Sequence, residues 1–122
     1  MKQVKVGIMP LKEFQAYTRA IVTGKYERKR GEPKIWFSSM ASLAQVLSDR
    51  NRELLSWIAE QKPASITELA RLSDRSQSNL TRTLKKMESY GLVEMKTGTR
   101  GSKQPFVPYS DIVLDMSIGS NP

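Results

Sequence analysis

The sequence predicts a mainly α protein with a small β-sheet, of the α+β class. Between positions 48 and 90, serine-capped stretches with apolar residues three to four apart follow one another. Short β-leaning runs lie only on either side of that block, at 4–9, 34–39, 92–97, 104–109 and 111–118. The length of 122 residues suits one modest core.

Taken in order, "VKVGIM" (4–9) alternates apolar with polar or small residues and reads as a strand. Pro10 suits the first turn of a helix whose stripe is Leu11, Phe14, Tyr17 or Thr18, and Ile21, with Gly24 ending it. "GKYERKRGEPK" is a solvated basic loop, and "KIWFSS" a short aromatic strand. "SMASLAQVLS" has helical spacing through Met40, Leu43, Ala44 and Leu47. A helix capped by Ser48 or Asp49 buries Leu54, Leu55 and Ile58, and Pro63 stops it. Ser65 caps "ITELARLS", with Glu68 completing a capping box. Ser76 caps "QSNLTRTLKKMESY", which ends at Gly91. "LVEMKT", "GTRGSK" and "QPFVPY" read as strand, turn and returning strand. In "DIVLDMSI", Ile112, Leu114 and Met116 share one face.

Composition removes several classes of chemistry. The chain has no cysteine and no histidine, so it lacks thiol nucleophiles, thiolate ligands and the commonest general base. Ser76 near Lys85, or pairs such as Asp111 and Asp115, can be nominated for catalysis, but nothing supplies a base, a metal cage or a phosphate loop. We expect no enzyme activity, no cofactor and no metal. The net charge of +8 points to a polyanionic partner. No apolar run approaches the roughly 18 residues of a membrane span, and the N-terminal apolar stretch is too short for a signal peptide. The expected location is cytoplasmic.

Three helices followed by a β-hairpin is the winged helix-turn-helix plan, here carrying an N-terminal strand–helix extension. The small Ala70 marks the crossing of its second and third helices, with Leu69, Leu72, Leu80, Leu84 and Met87 facing inward. At 100° per residue, Ser78, Arg82, Lys85 and Ser89 then point outward, flanked by Asn79, Thr81 and Lys86. That face suits a helix in the major groove, with Gln77, Ser78 and Asn79 at its N-terminal turn to meet base edges. The backbone amides after Ser76 can meet a phosphate oxygen. Positions 75–103 hold seven basic residues (75, 82, 85, 86, 96, 100 and 103) against two acidic ones. Arg100 and Lys103 lie at a glycine-rich hairpin tip, fit to reach a minor groove or its flanking phosphates.

The stretch "ITELARLSDRSQSNLTRTLKKMESYGLVEMKTG" resembles the winged helix-turn-helix core of MarR-like bacterial and archaeal transcriptional regulators. Leu69-Ala70, Ser76, Leu80-Thr81-Arg82 and Gly91-Leu92-Val93 carry the likeness, which spans about residues 49–109. Where that family has Leu-Gly-Val in its turn, this chain has Ser73-Asp74-Arg75. "IWFSSMASLAQVLS" is unlike the long dimerisation helices of MarR proteins and is closer to small prokaryotic predicted regulators, some of them antitoxin-like.

The resemblance implies a homodimeric, sequence-specific double-stranded DNA-binding regulator of transcription, expected to be a repressor. Helix 77–90 would enter the major groove and wing 97–104 would contact the minor groove and backbone. The expected DNA contacts are Ser76, Gln77, Ser78, Asn79, Thr81, Arg82, Lys85, Lys86, Arg100 and Lys103. Residues 1–47 form the expected dimerisation extension and 48–118 the DNA-binding domain. Val4, Val6, Ile8, Trp36, Phe37, Ile112 and Leu114 are expected at the dimer contact, in a sheet formed within or across subunits. Two alternatives use the same scaffold: an antitoxin that binds a toxin protein and autoregulates its operon, and a protein-interaction module that does not bind DNA.

Overall fold

The computed structural model describes residues 2–118. Its elements in chain order are β1 (Gln3–Ile8), α1 (Leu11–Val22), β2 (Ile35–Phe37), α2 (Met40–Val46), α3 (Asp49–Gln61), α4 (Ile66–Ser73), α5 (Gln77–Tyr90), β3 (Glu94–Thr97), β4 (Lys103–Phe106) and β5 (Asp111–Asp115). The chain is thus mixed α and β, with five helices among the described residues and two small sheets. None of these helices is long and apolar enough to cross a membrane.

The three β-leaning segments at the two ends of the chain pair within one protomer. β1 is the middle strand, with β2 and β5 parallel to it on either side. Val4 stands opposite Ile112, Val6 opposite both Ile35 and Leu114, and Ile8 opposite Phe37, so these residues share one face. On that face Val4, Val6, Ile35 and Phe37 are buried in one core with Leu54, Leu55 and Ile58 of α3, Leu69 of α4, and Leu80, Leu84 and Met87 of α5.

Two expectations change here. Val4, Val6 and Phe37, expected at a dimer contact, have essentially no exposed surface and are core residues of their own protomer. The division at residues 47/48 does not separate two cores, because β5 closes onto β1 and one apolar cluster runs across that position.

The other face of β1 carries Gly7, and the reason is spatial. A Cβ there would lie 2.5 Å from Cζ3 of Trp36, so only glycine lets the indole lie across the strand. Trp36 is half-buried and meets the Tyr17 ring edge-on at 5.8 Å. α1 is held only loosely. None of its residues is buried, and Leu11 and Phe14 of its apolar stripe are exposed rather than inward-facing. The basic loop after it folds back because Tyr17 and Tyr26 both donate their hydroxyls to Glu32. Burial, together with that carboxylate, pushes the Tyr17 phenol above its ordinary value.

Serine begins four of the helices. The hydroxyls of Ser39, Ser48, Ser65 and Ser76 accept backbone N–H bonds from Ser42, Asn51, Glu68 and Asn79 at 3.0–3.2 Å. Each such cap contributes about 1 kcal/mol. α5 ends at Gly91, whose φ of 91° is the left-handed conformation a helix C-terminus favours. The hairpin strands are shorter than the sequence pattern suggests. Leu92 and Val93 are drawn into the core ahead of β3, and β4 stops before Val107 and Pro108.

Candidate nucleic-acid interface

α5 presents two opposed faces. Leu80, Leu84 and Met87 are buried, while Gln77, Ser78, Thr81, Arg82, Lys85, Lys86 and Ser89 are exposed. Asn79 is half-buried beside them. The helix entrance is organised by Ser76, whose hydroxyl accepts the Asn79 N–H and lies 3.4 Å from Ser78 Oγ. The amide N–H groups of this first turn lack intrahelical carbonyl partners, so they offer a positive pole to an anion.

The expected base-reading side chains are not all free. Gln77 donates through Nε2 to the Thr67 hydroxyl of α4 at 3.1 Å, which ties the two helices together. Thr81 donates its hydroxyl to the Gln77 carbonyl at 2.9 Å. Among the described residues, Arg82, Lys85 and Lys86 make no ion pair and no side-chain hydrogen bond; the one ion pair there joins Arg52 to Asp49. Their charge faces solvent uncompensated.

The turn between α4 and α5 explains how the chain departs from the usual pattern. Asp74 takes the left-handed conformation, φ 58° and ψ 33°, where a glycine would be expected. Arg75 then folds back onto α3, donating to the Arg50 carbonyl at 2.9 Å and to Asn51 Oδ1 at 3.2 Å. Partial burial, and next the nearby Arg50, hold the Arg75 guanidinium below its ordinary value. Arg75 therefore acts as a polar brace, and it leaves the group of seven cations counted from sequence. Asn51 was not singled out in the sequence, and nothing local there marks it: its role arises from a contact 24 positions away.

β3 and β4 form the hairpin beyond α5, with Met95 opposite the buried Pro105 on its inner side. Gly98 N–H donates to the Ser102 carbonyl at 2.6 Å and closes the tip. Within that tip Arg100 is exposed in the left-handed region at φ 60°, followed by Gly101 at φ 77°. Lys103 is also exposed, and neither cation has an ion-pair partner among the described residues. Lys96 places its ammonium 4.0 Å from the Phe106 ring centroid, so that cation rests on an aromatic face and stays at the surface.

Of the remaining expected contacts, Ile8 and Trp36 are half-buried, and Ile112 and Leu114 are exposed. Among the described residues, no group of three or more acidic side chains is gathered as a metal site requires. A family model matches residues 46–114, more than half of the chain. The chain belongs to the HVO_A0114 family. The HVO_A0114 match runs from the end of α2 to within β5, and so takes in the candidate interface whole. No curated protein matches the chain.

Proposed function

We propose that this protein is a winged helix-turn-helix regulator of transcription that binds double-stranded DNA sequence-specifically, as a dimeric repressor. α5 enters the major groove, and the β3–β4 tip contacts the adjacent backbone or minor groove. The observation that carries this function is a set of five exposed cations, Arg82, Lys85, Lys86, Arg100 and Lys103, that the protomer leaves without ion-pair partners among the described residues. A protein that used these positions only for solubility would gain from interspersed acidic groups, and Glu88 and Glu94 are the only ones between 75 and 103. The likeness to MarR-like regulators at Leu80-Thr81-Arg82 and Gly91-Leu92-Val93 supports the same function.

Within it the residues divide by chemistry. Ser78, Asn79 and Arg82 are placed to read base edges, Asn79 suiting adenine and Arg82 guanine. Lys85, Lys86, Arg100 and Lys103 serve phosphates and set orientation. Gln77 and Thr81 hold the helix in position through the bonds already described.

Fluorescence anisotropy on a labelled duplex, selected from a random pool by the wild-type chain, tests the proposal. The double variant Arg82→Ala, Arg100→Ala should lose roughly 30-fold or more in affinity, since each contact contributes about 1–3 kcal/mol. Unaltered duplex binding would overturn it and favour a protein-interaction module.

A further inference from the structure

β5 is an outer strand. In the order β2–β1–β5 only one of its edges is hydrogen-bonded, and the other presents backbone N–H and C=O groups outward. Residues 111–115 contain no proline and no lysine, and the only charges on this edge are Asp111 and Asp115 at its two ends.

Its side chains are also placed oddly for a free edge. Ile112 and Leu114 lie on the core-facing side of the sheet, opposite Val4 and Val6. Yet they are 37% and 40% exposed, against 1% or less for their partners, and Met116 is 52% exposed. Beside them a groove of about 580 Å³ is lined by Leu55, Leu92, Val107 and Ile112, with Arg52 and Glu60 among its polar residues. The helices bury the sheet over β2 and β1 and cover β5 only in part.

We propose that β5 pairs antiparallel with β5 of a second copy, across a two-fold axis at Leu114, so that two three-stranded sheets become one. This concerns the contact between copies alone and stands whether or not the chain binds DNA. Antiparallel pairing keeps directly opposed residues on one face. Ile112, Leu114 and Met116 of both copies then form one apolar strip that runs between the two grooves.

Charge selects the register. An axis at Val113 would set Asp111 of each copy against Asp115 of the other, and directly opposed like charges are destabilising. An axis at Leu114 instead sets Leu114 against itself, Ile112 against Met116, and Asp115 against Val113. Val113 is already paired to Lys5 on β1, and Lys5 and Lys34 line one hollow with it. Each Asp115 then lies two strands, about 10 Å, from Lys5 of the partner subunit. It lies diagonally about 7–8 Å from the other Asp115, an arrangement milder than the direct opposition of Asp111 and Asp115. A second copy is therefore the occupant that satisfies edge and apolar strip together, in the register that keeps Asp111 from opposing Asp115.

The absence of cysteine makes the test direct, because Leu114→Cys and Val113→Cys each introduce a single thiol. The full chain is sedimented, and each thiol variant is mildly oxidised and run on a non-reducing gel. The wild type should sediment as a dimer and Leu114→Lys as a folded monomer by circular dichroism. Leu114→Cys should give disulfide-linked dimer as its main product, since opposed Cα atoms lie about 4.5–5.5 Å apart. Val113→Cys should give little, its two copies being offset beyond the roughly 7 Å a disulfide spans. A monomeric wild type, a dimer that survives Leu114→Lys, or cross-linking at 113 in place of 114 would each overturn the proposal.

Discussion

Asp74 spends conformational energy where glycine would not. Its φ of 58° lies in the left-handed region, which costs a non-glycine residue about 1–2 kcal/mol, least for Asp and Asn. Asp74→Val, with a branched Cβ, should therefore lower stability by roughly 1–2 kcal/mol, read as a fall of about 4–8 °C in the thermal midpoint. An unchanged midpoint would mean that the turn relaxes. Gly7 imposes the opposite constraint: its backbone is ordinary, but the Trp36 ring fills the space a Cβ needs. Gly7→Ala should cost about 1–3 kcal/mol by overpacking, and a chemical denaturation curve would register it as a lower midpoint at constant slope. Arg75 shows how one residue can serve a purpose its charge does not announce. Its hydrogen bonds to α3 brace the turn by polar contacts.

At the scale of elements, α5 is governed by its two ends. Ser76 closes one and Gly91 the other, so Ser76→Ala should lower stability by about 1 kcal/mol while leaving the helix in place. The measurement is a denaturant titration of the variant beside the wild type. Helices α3 and α5 were legible in sequence because cap, periodicity and stop agree at each, Ser48 to Pro63 and Ser76 to Gly91, and α4 through the Ser65 cap and its periodicity alone. The hairpin was legible for the same local reason, through the glycine-rich tip between two short runs. What could not be read is set by long-range partners. "VKVGIM" and "DIVLDM" look alike as edge or centre strands, and only the pairing of β1 with both β2 and β5 decides which is buried. The same holds for Gln77 and Arg75. Each sits on a face that sequence assigns to solvent or DNA, and each is claimed by a partner on another helix.

Taken as a molecule, the protein carries a charge excess of +8. Arg82, Lys85, Lys86, Arg100 and Lys103 are exposed on α5 and the hairpin tip, and a second basic group lies at Lys25, Arg28, Lys29, Arg30 and Lys34. Exposed apolar side chains include Ile112 and Leu114 of β5 and Leu11 and Phe14 of α1. In the proposed function the first of these basic groups meets the polyanion, and β5 is left for the proposed contact between copies. With Arg75 engaged inside the protomer and Arg82 assigned to a base edge, Lys85, Lys86, Arg100 and Lys103 remain for phosphates in the proposed interface. The salt dependence of duplex affinity tests the proposed interface most directly. If all four neutralise phosphates, a plot of log affinity against log salt should fall with a slope of about −4 per protomer. A slope near zero would contradict the assignment of this face to nucleic acid.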